Sequence, residues 1–213
     1  MSYLRISEIF LSLQGETRTV GIPTIFIRLT GCPLRCQYCD TNYAFTGGTV
    51  ISIKAIIAQV ANYKVPYVTV TGGEPLAQPA CLELLTNLCD QNYTVSLETN
   101  GAMDISMVDI RVSKVMDLKT PGSGVVNQNC YSNIELLTSN DQIKFVICNR
   151  QDYEWSKIKL QTYQLAKSCE VLFSPVAEIL PASDLANWIL RDQLPVRLQI
   201  QLHKLLWGNR PGC

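Results

Sequence analysis

Three cysteines, Cys32, Cys36 and Cys39, stand in the stretch Gly31-Cys-Pro-Leu-Arg-Cys-Gln-Tyr-Cys-Asp-Thr41, with three and then two residues between them. A cluster of four irons and four sulfides normally takes four thiolates. This loop supplies three, so one iron of a [4Fe-4S] cluster would keep an open position, where a small chelating ligand can bind and receive an electron. Zinc is the plain alternative, but a closed structural zinc site takes four ligands, usually as two separated pairs. The chain has no second Cys-x-x-Cys, and its only histidine, His203, lies far along the sequence. Cys36 and Cys39 as a thioredoxin-like redox pair would open a helix and leave Cys32 unexplained. The remaining six cysteines are scattered. Cys81, Cys89 and Cys148 sit among apolar runs and read as small buried hydrophobes.

Other polar residues stand where turns are expected. Thr71-Gly-Gly-Glu-Pro75 is a glycine turn in which backbone atoms can approach a ligand closely and Glu74 can accept hydrogen bonds from an ammonium group. Glu98-Thr99-Asn100-Gly101 is a turn by its Asn-Gly pair. Arg28 interrupts the apolar strand Thr24–Thr30 on the opposite parity from Ile25 and Ile27, so it needs water or an anion as partner. Lys119 beside Asp117 and the lone His203 have ordinary surface readings as well as functional ones.

The elements that must carry these residues alternate. Strands are expected over 4–13 with a slip after Ile6, then 24–30, 67–70, 94–98, 114–118, 143–147, 170–173 and 197–200. Helices are expected over 52–63, capped by Ser52, then 80–90, 132–138, 152–166 and 183–190. Strand and helix joined by short connections mean parallel strands with crossover helices, whose chemistry gathers at the carboxyl ends of the strands. Six to seven parallel strands, those after the first, are too few for a closed eight-stranded barrel. The expectation is an α/β fold, a partial (open) TIM-like β/α barrel of about six parallel strands, as one domain over 1–213. At 213 residues and 47% hydrophobic the chain can bury a sizeable core. Lys plus Arg equals Asp plus Glu at 18 each, which leaves no electrostatic footprint for nucleic acid or an anionic membrane. Arg5, Glu8, Glu16 and Arg18 interrupt any leader-like apolar run, so a cytoplasmic protein acting on a small molecule is expected.

The cysteine spacing, with aromatic Tyr38 before the last cysteine, resembles the cluster loop of the radical S-adenosylmethionine superfamily. The resemblance implies S-adenosylmethionine bound to the open iron and split to a 5′-deoxyadenosyl radical. Thr71-Gly-Gly-Glu-Pro75, following the cysteines, resembles the superfamily's contact to the methionyl amine. Glu8-Ile-Phe-Leu-Ser-Leu-Gln-Gly-Glu16, Arg28, Cys39-Asp40-Thr41 and the tail Gln201-Leu-His-Lys204 narrow the match. Together they resemble the 7-carboxy-7-deazaguanine synthase family over essentially the whole chain.

That family resemblance implies conversion of 6-carboxy-5,6,7,8-tetrahydropterin to 7-carboxy-7-deazaguanine with loss of ammonia, a step toward queuosine and related deazapurines. Carried over by position, Leu13, Gln14, Gly15, Glu16, Arg28 and Thr71 meet the pterin, Arg28 pairing its carboxylate. Tyr38, Cys39, Asp40, Gly73, Glu74, Glu98, Asp117 and Lys119 line the S-adenosylmethionine. Thr41 offers its hydroxyl to Mg2+, a hard ion suited to oxygen ligands. An electron donor such as flavodoxin or ferredoxin and a homodimeric state are implied too. Two departures stand out: Thr17 where the family usually has glycine, and Asp117-Leu-Lys119 where many members have Ser-Pro-Lys. The rival readings are a glycyl-radical activase, which would lack Leu13-Gln-Gly-Glu16 with Arg28, and a non-enzymatic zinc-binding scaffold.

Overall fold

The structure, a computed structural model, describes residues 2–208, 210 and 212. Two strands open it, β1 (Tyr3–Leu13) and β2 (Pro23–Leu29), paired antiparallel. The slip in β1 is a β-bulge: Ile6 pairs with Leu29 and Glu8 with Arg28, leaving Ser7 extra. One added residue moves every later side chain to the other face. Leu4 and Ile6 are therefore buried in the core before the bulge, while after it Glu8 and Phe10 sit directly across from Arg28 and Phe26.

On the far side of β1 lies an edge strand that the sequence pattern does not mark, β3 (Thr49–Ser52), antiparallel to it. Ser52 ends that strand and caps α1 (Ile53–Val60), its Oγ accepting from the Ala55 amide at 3.3 Å. From β2 onward the neighbours are parallel: β4 (Tyr67–Gly72), β5 (Thr94–Thr99), β6 (Ser113–Asp117), β7 (Gln142–Ile147), β8 (Glu170–Pro175) and the short β9 (Arg197–Leu198). The order β3-β1-β2-β4-β5-β6-β7-β8-β9 has two free ends, as a partial barrel requires. The parallel set numbers seven, counting the two-residue β9.

Four helices follow α1 before the tail: α2 (Cys81–Asp90), α3 (Arg150–Thr162), α4 (Leu165–Ser168) and α5 (Ala182–Asp192). The helix expected over 152–166 is broken at Gln164, whose φ of +49° no α-helix accommodates. The one expected over 132–138 is a 3-10 segment, Tyr131–Leu136, too short to nucleate an α-helix alone. A last helix, α6 (Leu202–Trp207), has no counterpart among the expected elements.

Each parallel strand shows its helix side one way and its inner side the other. Ile25, Ile27 and Leu29, Val70, Leu97, and Ile143, Phe145 and Ile147 are fully buried and belong to one core beneath the helices. The residues between them, Arg28, Thr71, Glu98 and Lys144, line a cavity instead. Alternation with period two thus sorts the chain into an apolar outer layer and a polar inner wall. Among the described residues no helix is long and apolar enough to cross a membrane.

Candidate active site

The cavity encloses about 230 Å³ and gathers the residues that follow the carboxyl ends of the strands. Every residue expected at the site lines it except Glu74. The loop with Cys32, Cys36 and Cys39 forms one wall, and all three thiols are free and partly exposed. Backbone bonds hold the loop from both sides: Gly31 donates to Ala44 O at 2.8 Å, Gln37 to Ser123 O at 3.0 Å, and Gly31 O accepts from Glu74 N at 2.8 Å. Arg35 braces it from outside, donating to Cys32 O at 2.7 Å, with its guanidinium 4.2 Å above the Phe45 ring.

Gly72 and Gly73 end β4 against this loop. A β-carbon on Gly73 would lie 2.1 Å from Gly31 O and 2.9 Å from Cys32 Cβ. On Gly72, where φ is +144°, it would lie 2.2 Å from Leu29 O. Gly72 thus admits the backbone at the end of β2, and Gly73 lets the cysteine loop itself lie against the end of β4, approaches any side chain would block.

Glu74 lies apart from the other expected residues. Its carboxylate is fully buried away from the cavity and accepts from Thr99 Oγ1 at 2.9 Å, Asn100 N at 2.7 Å and Leu76 N at 3.0 Å. Burial pushes this carboxyl up, and the three donors pull against that shift. A group engaged by three protein donors and shut off from the cavity is poorly placed to reach a cofactor amine. It brackets the end of β5 to the end of β4 instead.

Lys119 is buried, not solvated, and its Nζ lies 2.8 Å from Asp117 Oδ2. Burial alone would lower this ammonium, but the Asp117 carboxylate and Cys36 together outweigh it and raise it. Among the described residues no hydrogen-bond partner within normal geometry is found for the other Asp117 oxygen or for the buried Tyr38 hydroxyl, which has the Thr120 hydroxyl nearby. Two unpartnered acceptors or donors at a cavity wall are places for ligand atoms.

The opposite wall is a chain of polar groups. Gln14 Nε2 donates to Thr69 Oγ1 at 3.1 Å and to Glu98 Oε1 at 3.4 Å, while Thr71 Oγ1 donates to Glu98 Oε2 at 2.9 Å. Arg28 Nε lies 2.6 Å from Glu8 Oε1, which also accepts from Tyr43 Oη at 2.9 Å. Its guanidinium lies 5.9 Å from the Phe10 ring, itself stacked on Phe26 at 5.1 Å. Only Nε is taken, so the two terminal nitrogens make no hydrogen bond among the described residues and can grip a carboxylate.

Lys144 carries no signal in the sequence, and Gln201 and His203 carry one only through the family resemblance. Lys144, from mid-β7, pairs with Glu16 at 2.9 Å. Burial would raise the Glu16 carboxyl, yet Lys144 and the Gln201 amide hold it below its ordinary value. Gln201 Nε2 donates to both Glu16 Oε1 and Asp40 Oδ2, each at 3.0 Å. Gly15 O accepts from Leu202 N at 2.9 Å, and the place of a Gly15 side chain is filled by His203, 2.3 Å from Nδ1. The tail thereby covers the cavity, and His203 acquires a place that its isolation in the sequence does not indicate.

Comparison with known proteins matches residues 26–161 to the Radical SAM superfamily. A 7-carboxy-7-deazaguanine synthase from Chlorobaculum tepidum is 44% identical over 208 residues, spanning 96% of this chain and 94% of the relative. One from Koribacter versatilis is 40% identical, spanning 96% and 97%. The chain belongs to the 7-carboxy-7-deazaguanine synthase family of radical SAM proteins. A crystal structure of QueE from Escherichia coli superposes with a TM-score of 0.76 at 23% identity, covering 94% of this chain and 95% of that one, so the fold is shared. Part of the fold recurs in Streptococcus suis SuiB bound to S-adenosylmethionine, with a TM-score of 0.59 at 18% identity, covering 80% of this chain and 48% of that one.

Membership of a radical SAM family implies a [4Fe-4S] cluster and S-adenosylmethionine, and this cavity suits both. Three thiols from one loop line it, and burial pushes the Cys36 and Cys39 thiols up, so these thiols favour the protonated form until a metal binds and displaces the proton. Among the described residues no three His, Cys, Asp or Glu side chains are grouped to hold a metal ion. The unpartnered atoms of Asp117 and Tyr38 belong to side chains close enough to Cys36 to interact with it electrostatically.

Proposed function

We propose that this chain converts 6-carboxy-5,6,7,8-tetrahydropterin to 7-carboxy-7-deazaguanine with loss of ammonia, as a lyase of deazapurine biosynthesis. The observation that carries the reading is the meeting, in one cavity, of the three-thiol loop with a carboxylate-gripping Arg28 and the Gln14–Glu98–Thr71 chain. Cluster and S-adenosylmethionine, when bound, supply a carbon radical able to take hydrogen from the pterin C6.

The chain's own residues bind, orient and exclude water. Arg28 would pair the pterin carboxylate through its terminal nitrogens, held at the correct angle by Glu8 and Tyr43. Gln14 and Thr71 offer donors and acceptors to the polar edge of the bicyclic ring, Leu13, Gly15 and Glu16 bound it, and Glu98, which accepts from both Gln14 and Thr71, would reach the S-adenosylmethionine beside it. Cys32, Cys36 and Cys39 would ligate the cluster. Tyr38, Asp40, Gly73, Asp117 and Lys119 would surround the S-adenosylmethionine, with the Lys119 ammonium available to its carboxylate. Phe10, Phe26, Leu34 and Phe45 give the cavity its apolar lining, which keeps water from a radical.

Mg2+ fits through Thr41. Magnesium keeps most of its waters and takes few protein oxygens, with the substrate completing its shell. Thr41 Oγ1, now donating to Asp40 Oδ1 at 3.0 Å, would turn toward it. A small electron-transfer protein of the flavodoxin or ferredoxin kind would reduce the cluster, and the protein would work as a homodimer in the cytoplasm. Incubation of reconstituted, reduced protein with S-adenosylmethionine and the carboxytetrahydropterin tests the reading. Formation of 7-carboxy-7-deazaguanine supports it, and its absence from a preparation with intact cluster rejects it.

A further inference from the structure

Asn100 reads in sequence as half of an Asn-Gly turn, yet its side chain is buried against the cysteine loop. Its Nδ2 lies 3.6 Å from Cys32 Sγ, within reach of an N–H···S bond. The amide cannot be flipped, because Oδ1 accepts from Ala102 N at 3.0 Å and needs an oxygen there. Backbone geometry fixes it further. Its N–H is bound to Glu74 Oε2 at 2.7 Å, the same carboxylate that holds Thr99, and Gly101 follows with φ +74° and Asp117 O packed 2.9 Å from where a β-carbon would stand. The fully buried Glu74 therefore acts through Asn100, which gives the Gly-Gly-Glu turn a task other than touching the cofactor amine.

We propose that Asn100 tunes the cluster by donating a hydrogen bond to the Cys32 thiolate, raising the potential at which the cluster accepts its electron. The inference rests on the cluster-binding part of the function proposed above. Reduction adds negative charge to the iron–sulfur unit and its thiolates, and a donor on a ligand sulfur stabilises the more negative state. Asn100 is thus a positioning residue for the electron-transfer step, and it moves no proton.

The test needs neither pterin nor S-adenosylmethionine. Reconstituted wild type, Asn100→Ala and Asn100→Asp are titrated anaerobically with dithionite and mediators, the reduced fraction being read by electron paramagnetic resonance. Alanine deletes the donor without adding charge, whereas aspartate keeps the acceptor for Ala102, removes the N–H and adds a negative charge. Both midpoints are expected to fall, so that at the wild-type midpoint the oxidised-to-reduced ratio rises about tenfold, or about 59 mV for one electron. Unchanged midpoints overturn the proposal. So does a shift in the aspartate variant alone, which would be an effect of charge. Failure of both variants to load the cluster overturns it as well, since a donor that only tunes potential is not needed for assembly. A wild type with no reducible cluster instead rejects the proposed function.

Discussion

Gly73→Ala is a one-methyl test of how the cluster loop is held. The new β-carbon would stand 2.1 Å from Gly31 O, 2.6 Å from Gly31 C and 2.9 Å from Cys32 Cβ, whereas ordinary contact begins at 3.4 Å. The difference, 3.4 minus 2.1, asks the loop to retreat by about 1.3 Å. No side chain can rotate away, because two of the three atoms are backbone. They are pinned on either side by Gly31 N to Ala44 O at 2.8 Å and Glu74 N to Gly31 O at 2.8 Å. Overpacking of this kind costs about 2–3 kcal/mol, lowering Tm by roughly 4–12 °C without unfolding the protein. Metal sites tolerate ligand displacements of only about 0.2 Å, so the larger effect is on Cys32. The assay is iron and sulfide per chain after anaerobic reconstitution, beside the thermal melt. Gly21→Ala is the control: its φ of +85° is strained too, but nothing lies within 4 Å of the added methyl. The expected result is near-complete loss of bound iron in Gly73→Ala and full loading in Gly21→Ala. Equal iron and an unshifted melt for Gly73→Ala would refute the argument that this glycine exists to admit the loop.

Glu8→Gln weakens the charge-assisted tether on Arg28 Nε and is expected to raise the pterin KM about tenfold, roughly 1.4 kcal/mol, with S-adenosylmethionine binding unchanged; an unaltered KM in steady-state assays would show that the tether does not orient Arg28. Lys144→Met leaves the Glu16 carboxylate largely buried beside Gln201 alone. It is expected to cost about 3 kcal/mol in urea unfolding. Adding Glu16→Gln should recover most of that loss, and a midpoint equal to wild type would contradict the pairing. Acid should loosen the tail. Partial burial would raise Asp40, but Gln201 and Lys204 hold it down to about 2. A depressed carboxyl contributes stability that is fully present above its unfolded value of about 3.9 and is lost as pH falls through the folded one. Proteolytic cutting near residue 200 is therefore expected to rise between pH 4 and 2, and less so in Asp40→Asn; identical profiles would remove Asp40 from the clasp.

What could be read from the chain is what local spacing encodes. The cysteine loop, the alternation of strands with helices and the slip in β1 are all written in neighbouring residues, and the slip is the bulge at Ser7. The role of Glu74 was not legible. The same Gly-Gly-Glu-Pro sequence serves a ligand contact or a buried bracket, and only the arrival of Thr99 and Asn100 from another strand decides between them. Lys144 is one polar residue in an apolar strand, meaningful once β7 is placed so that Glu16 stands opposite it. β3 escapes because its partner, Tyr3–Ile6, is more than forty residues away, beyond any periodicity. Gln201 and His203 gain meaning only when the tail folds back over Gly15. Thr17 shows the reverse. The departure from glycine is tolerated at φ +67°, where its hydroxyl lies 3.2 Å from Thr19 Oγ1.

The central claim is a three-thiolate cluster whose open iron faces the cavity that takes S-adenosylmethionine. Reconstituted protein, reduced without oxygen, should hold about four irons and four sulfides per chain. Its paramagnetic resonance signal should change when S-adenosylmethionine is added, and Cys36→Ala should show neither the iron nor the change. A preparation that binds no iron and sulfide, or whose signal is indifferent to S-adenosylmethionine, would contradict the account.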